Sequence, residues 1–160
     1  MWLYGTAFEH SALYNYQISH ASSVYAGHIQ TETAYYQGNP SALTPFTPQT
    51  LYSDPTFGDC SASNCARTWG LRVLNSSSIF IYSAGLYNFY DNYAQTCLNQ
   101  ESCQQQMVDI ANVSDVYVWN LATKGSQYLV RYDGADVVPY AVNVANFCDG
   151  IVLFEVSASP

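Results

Sequence analysis

Positive charge is what this chain has least of: 4 residues are Lys or Arg against 12 Asp or Glu, giving a formal net charge of -8. Arg67, Arg72, Lys124 and Arg131 never cluster, so neither a nucleic acid nor an anionic membrane surface would find a basic patch to bind. Charged residues of both signs reach only 10%, which leaves Ser, Thr, Asn, Gln and Tyr to wet the surface. No run of about 18 apolar residues occurs, which argues against a membrane-spanning helix. The first ten residues also lack the basic end, apolar stretch and small-residue cleavage site of a signal peptide. His10, His20 and His28 fall in no H-E-x-x-H spacing, and no P-loop, G-x-G-x-x-G or G-x-S-x-G motif is present. The expectation is therefore no metal site, no cofactor and no serine-hydrolase elbow.

The 160 residues suffice for one domain with a real core. Of the 5 cysteines, Cys60 and Cys65 share one polar stretch and Cys97 and Cys103 another. Both spacings suit small loop-closing disulfides, while Cys148 lies in an apolar run and reads as a buried thiol. Two sequons, at Asn75 and Asn112, agree with an oxidising, secreted setting. Secretion without a leader implies that an upstream part of the protein is not included in this chain.

One phrase recurs along the chain: H-A-S-S-V-Y-A from His20, N-S-S-S-I-F-I from Asn75, N-V-S-D-V-Y-V from Asn112 and N-F-C-D-G-I-V-L from Asn146. Each is a polar corner followed by a strand alternating at period two. Val24/Ala26, Ile79/Ile81, Val116/Val118 and Ile151/Leu153 would share one face, with Tyr25, Phe80, Tyr117 and Val152 on the other. The copies are 55, 37 and 34 residues apart. The excess length goes to inserted loops, one from Gly38 to Cys65 carrying Pro40, Pro45, Pro48 and Pro55, the other running from Ala94 to Gln106 with a helical turn expected around Asn99 to Gln106. Repeated corner-and-strand units, with few convincing helices among them, predict an all-β fold: a right-handed parallel β-helix, a pectate-lyase-like solenoid. An antiparallel sandwich is the alternative. Asn75, Asn112 and Asn146 would ladder at the corners, leaving the sequons partly buried. Asp133-Gly134-Ala135-Asp136 reads as a turn rather than a calcium loop. The outer aromatic row, with Tyr82, Trp119 and Phe154, is large enough to call for a covering layer.

Glu9 and Glu32 are the only glutamates among the first hundred residues. They stand among Tyr, Gln, His and Thr with few cations nearby, a setting in which a carboxyl can hold a proton or bind a sugar hydroxyl. They are 23 residues apart, about one coil of a β-helix. On adjacent parallel strands, about 4.8 Å apart, two such carboxyls face one cleft. A glycosidase needs that pairing: one carboxylic acid to protonate the leaving oxygen and a second group to act on water or on the anomeric carbon.

At this point W-L-Y-G-T-A-F-E-H-S-A-L-Y-N-Y-Q, Q-T-E-T-A-Y-Y-Q, W-G-L-R-V-L-N-S-S-S-I-F-I-Y-S-A-G-L-Y-N-F-Y and V-D-I-A-N-V-S-D-V-Y-V-W-N-L become informative together. They resemble the C-terminal part of the fungal exo-β-1,3-glucanases of glycoside hydrolase family 55, and the resemblance runs essentially the whole length of residues 1–160. It implies the last coils of the second of two tandem β-helices. The activity it implies is cleavage of laminarin-like β-1,3-glucan from the non-reducing end with inversion. Glu32, in Q-T-E-T, matches the general acid; Glu9, in Y-G-T-x-x-E-H, matches the carboxylate beside the attacking water. Tyr35 matches an aromatic of the sugar subsite, with Gln30 and His10 as neighbours. Phe8 departs from the small polar residue expected before E-H. The upstream β-helix, which would supply the opposite wall, lies outside this chain, so isolated activity is expected to be weak or absent. The competing reading is a non-catalytic polysaccharide-binding or structural module. A lyase acting on uronates is disfavoured by the scarcity of cations.

Overall fold

A computed structural model describes residues 1–144 and 150–157, the latter group with backbone only at 150–153. Asn146 and Cys148 lie outside the described residues, as do the side chains of Ile151, Val152 and Leu153. Ten strands form in chain order: β1 (Trp2–Ala7), β2 (Tyr14–Ser19), β3 (Ser22–Thr31), β4 (Trp69–Leu74), β5 (Ser77–Tyr87), β6 (Gln104–Ala111), β7 (Ser114–Lys124), β8 (Ser126–Tyr132), β9 (Ala135–Pro139) and β10 (Gly150–Val156). They make two five-stranded sheets, ordered β1-β3-β5-β7-β10 and β2-β4-β6-β8-β9.

The polar corners do what their residues suggest. His20, Asn75 and Asn112 all take left-handed backbone, with φ of 52°, 49° and 51°, and each sends the chain from the second sheet into the first. The corners rest on one another through backbone bonds: His20 N–H donates to Leu74 C=O at 3.1 Å and Asn75 N–H to Ala111 C=O at 3.1 Å. The side chain of Asn112 donates to Asn75 Oδ1 at 2.6 Å, so two members of the expected ladder meet, though both are exposed rather than partly buried.

Parallel pairing reproduces the repeat spacings. Val24 pairs with Ile79, an offset of 55, and Ile79 with Val116, an offset of 37. Val24, Ala26, Ile79, Ile81, Val116 and Val118 are buried against Leu71, Val73, Val108, Ile110 and Val130 of the opposing sheet. Alternation at period two is thus satisfied on both layers at once.

The expected right-handed parallel β-helix is corrected by this architecture. The strands form two facing layers, a small β-sandwich of mixed sheets, because the last strand of each sheet reverses direction: β10 runs antiparallel on β7, and β9 antiparallel on β8. The fourth copy of the repeated phrase therefore has no parallel register with the third. The β8–β9 reversal uses Asp133-Gly134, both left-handed at φ of 45° and 82°, the geometry of a type I′ hairpin turn. The helical turn expected around Asn99 to Gln106 is met only at its start, by a 3-10 helix at Thr96–Gln100, and Gln104–Ala111 is strand. Both short-loop disulfides form, Cys60–Cys65 and Cys97–Cys103.

The proline-rich insertion covers the outer face of the second sheet. There Gln17, Arg72, Asp109 and Arg131 stand in register across four strands. Arg72 donates to Asp109 at 3.3 Å, to Gln17 Oε1 at 2.5 Å and to the Ser53 carbonyl at 2.7 Å. Burial is the main influence on both partners, pushing the Asp109 carboxyl above its ordinary range and the Arg72 guanidinium below its own. Desolvation thus opposes the pair it encloses. Two outcomes follow, both measurable by urea unfolding at pH 7. Asp109→Ala, which strands the guanidinium, is expected to cost about 3–5 kcal/mol, whereas Arg72→Met with Asp109→Leu together is expected to be neutral or stabilising. Because the folded carboxyl binds its proton more tightly than the unfolded one, this group's contribution falls as pH rises through the carboxylate range.

Candidate active site

Strand register decides the meeting of the two glutamates. Trp2 pairs with Tyr25 and Ala7 with Gln30, an offset of 23, and Phe8 N–H extends the pairing by donating to Gln30 C=O at 3.2 Å. Glu9 and Glu32 carry the same offset, so they leave the ends of β1 and β3 side by side. One oxygen of each carboxylate and one ring nitrogen of His10 all lie within 4.8 Å of one another. Glu9 is the outer member, 36% exposed at its side chain, and the Gln30 amide donates to its Oε1 at 3.4 Å.

His10 is held from two sides. Its Nδ1 lies 2.7 Å from the Thr33 carbonyl; a carbonyl only accepts, so Nδ1 carries the hydrogen and Nε2 keeps its lone pair in the neutral ring. That Nε2 is 4.0 Å from Glu9 Oε2. The ring itself stacks on Tyr35, with centroids 4.5 Å apart and planes 9° from parallel. Glu9, His10, Gln30, Glu32 and Tyr35 are therefore brought into one place. Phe8, the departure in the motif, packs edge-on against Tyr16 at 4.9 Å.

Beside this group opens a concavity of about 450 Å³ lined by His10, Glu32, Thr33, Tyr35, Gln37, Phe89, Tyr90 and Tyr93. Five of these eight residues had no site role in the sequence reading: Thr33 and Gln37 lie within Q-T-E-T-A-Y-Y-Q beside the residues chosen there, and Phe89, Tyr90 and Tyr93 come from a loop more than fifty residues downstream of Glu32. The dense aromatics of N-F-Y-D-N-Y were the available signal. The loop is fastened to the site: Phe89 N–H donates to Thr33 Oγ1 at 2.5 Å, Tyr93 N–H to Gln37 Oε1 at 3.3 Å, and Tyr93 O–H to the Tyr35 carbonyl at 2.8 Å. Underneath, buried Arg67 grips Asp91 at 2.6 Å.

Glu32 faces this bowl with Glu9 beside it, and no Lys or Arg among the described residues pairs with either carboxylate. Arg67 pairs with Asp91, Arg72 with Asp109, Lys124 with Glu101 and Arg131 with Asp59, which engages all four cations elsewhere. What remains is an acid pair, amides, hydroxyls and aromatic rings, suited to a neutral hydroxyl-rich ligand rather than an anionic one.

Fold and site together define an all-β protein with a paired-carboxylate, aromatic-walled cleft. The chain is 51% identical over 155 residues, 97% of its length, to a probable glucan endo-1,3-beta-glucosidase of Arthroderma benhamiae, covering 18% of that protein. It is 32% identical over 151 residues, 91% of its length, to a glucan 1,3-beta-glucosidase of Cochliobolus carbonum, covering 19% of it. A non-secreted LysM effector of Penicillium expansum is 37% identical over 153 residues, 94% of the chain and 10% of that protein. No family model matches. The chain thus spans a fifth or less of these relatives, and it is related to proteins named as glucan 1,3-β-glucosidases.

Proposed function

We propose that this chain forms one wall of the active site of a secreted β-1,3-glucan hydrolase of glycoside hydrolase family 55, with Glu32 as general acid and Glu9 as the carboxylate beside the attacking water. The observation that carries the reading is the meeting of Glu9 and Glu32 at the rim of the aromatic bowl, in a chain related to named glucan 1,3-β-glucosidases. A terminal glucosyl unit enters the bowl against Tyr35, Phe89 and Tyr93. Glu32 gives its proton to the glycosidic oxygen as the bond to the anomeric carbon breaks, and water adds from the other side, its proton passing to Glu9. Inversion requires carboxyls roughly 6.5–9.5 Å apart to admit that water. The nearest oxygens here lie within 4.8 Å, so in the productive state Glu9 turns outward, which its exposure and its single long bond to Gln30 allow.

The opposite wall is assigned to another domain of the full-length protein, which also covers the aromatic face of the first sheet. There Trp2 is 82%, Tyr4 70% and Trp119 53% exposed, while Phe80 and Tyr117 stack at 5.3 Å. The two disulfides are consistent with an extracellular setting.

The relatives' names divide between endo and unspecified action, and product analysis decides it. Full-length protein on laminarin is expected to release glucose from the outset, with the α-anomer appearing first by proton NMR. Early release of mixed oligosaccharides would exclude exo action, and a first-formed β-anomer would exclude inversion. The second reading, a non-catalytic module, is favoured by the occurrence of a similar stretch, 37% identical, in a protein named as an effector. Laminarin binding with no turnover by the full-length protein would select it.

A further inference from the structure

We propose that Glu9, His10 and Glu32 form a binding site for a divalent transition metal, with Zn²⁺ as the fitting ion, and that its occupancy shuts off the site. Three donor atoms no more than 4.8 Å apart all lie within roughly 2.8 Å of one common point, so shifts of under roughly 1 Å bring them to Zn–N and Zn–O distances of about 2.0–2.2 Å. Two carboxylates and one imidazole make a three-ligand set that cancels the ion's double charge and leaves a coordination position open toward solvent.

His10 supports the assignment independently of the acids. A metal-binding histidine characteristically donates its other ring N–H to a carbonyl or carboxylate, which fixes the tautomer and aims the lone pair. His10 does this through Nδ1 to the Thr33 carbonyl at 2.7 Å, and Tyr35 clamps the ring plane. Nε2 is left free of the carbonyl, 4.0 Å from Glu9 Oε2. Since Arg67, Arg72, Lys124 and Arg131 each pair with other acids, no side-chain cation among the described residues competes for this position. The spacing of the three residues shows no metal motif in sequence; the β1–β3 register makes the site.

The inhibitory part rests on the proposed catalytic reading, the binding part does not. A metal on Glu32 occupies the oxygen that must deliver a proton, and it fills the entrance a glucosyl unit would use. The test is calorimetric titration of the protein with zinc chloride at pH 7, beside a laminarin assay with and without zinc. One ion per chain is expected. Substituting a ligand should cost at least what loss of a supporting outer-shell bond costs, so His10→Ala and Glu9→Gln are each expected to weaken binding by about tenfold or more. His20→Ala and His28→Ala, at exposed positions elsewhere, should leave it unchanged. Unaltered melting temperatures of the variants show that they fold. Absent binding, or binding insensitive to His10→Ala and Glu9→Gln, overturns the site. Triad-dependent binding with undiminished laminarin turnover overturns the inhibition. Triad-dependent binding in a protein that never releases glucose leaves the metal site standing and removes the hydrolase reading.

Discussion

Glu32→Gln is expected to lower glucose release from laminarin by the full-length protein by roughly 10²- to 10⁴-fold, the span that a positioned general acid contributes. The substitution keeps the shape of the side chain and removes the transferable proton. Folding should survive it, because Glu32 is only partly buried and the contacts that fasten the surrounding loop run through Thr33, Tyr35 and Gln37. The discriminating measurement uses two substrates. A β-glucoside with a strongly acidic phenol as leaving group needs little protonation, so the variant should lose far less activity on it than on laminarin. Equal losses on both would mean that Glu32 shapes the bowl without donating a proton. Near-normal laminarin hydrolysis would refute the assignment altogether. Mixing the two readings is avoided because binding of laminarin by the variant, followed separately, should be retained.

Gly125→Ala is the largest expected effect on folding. Gly125 joins β7 to β8 with φ of 78°, and a Cβ there would stand 1.9 Å from the Asn88 carbonyl oxygen. That oxygen belongs to backbone and cannot swing away as a side chain would. Around it, Asn88 N–H donates to the Lys124 carbonyl at 2.9 Å, the Gly125 N–H donates to Glu101, and Lys124 pairs with Glu101 at 2.5 Å. Asn88 in turn donates through its amide to Gln104 at 2.9 Å. One methyl group thus sets a left-handed backbone against a buried hydrogen-bond junction. The expected cost is about 3 kcal/mol or more, a large part of a domain's net stability. Urea unfolding of the variant measures it, and a change below about 1 kcal/mol would show that the β7–β8 corner yields where the packing says it cannot. Since Asn88 precedes Phe89 and Tyr90, the same substitution should also loosen the aromatic bowl.

Much of the layer structure was legible because its determinants are local. Alternating Val, Ile and Leu at period two place a strand's faces wherever the strand goes, so Val24, Ile79 and Val116 were bound to share the core. Polar corners preceding each strand, and cysteines five and six residues apart, act within a few residues of themselves. The offset of 23 between Glu9 and Glu32 was readable for the same reason, as a spacing that equals one turn of parallel pairing.

Direction and closure were another matter. Whether the last strands continue in parallel or turn back depends on how much sheet already exists for them to pair with, and that is a property of the assembled layers. The hairpin at Asp133-Gly134 and the antiparallel β10 convert a repeating pattern into a two-layer sandwich; the first has a local Asp-Gly turn signal, whereas the second depends on β7 being the edge it meets. The bowl is nonlocal in the same way: Phe89, Tyr90 and Tyr93 reach Glu32 only because β3 and β5 pair and Phe89 N–H finds Thr33. By itself, then, the sequence determined the strands, their inward faces, the disulfides and the adjacency of the two glutamates, all consequences of spacing along the chain. Tertiary structure alone decided the number of layers, the sense of β10, and the aromatic wall that turns a pair of carboxylates into a cleft, because these depend on contacts between residues that spacing does not relate.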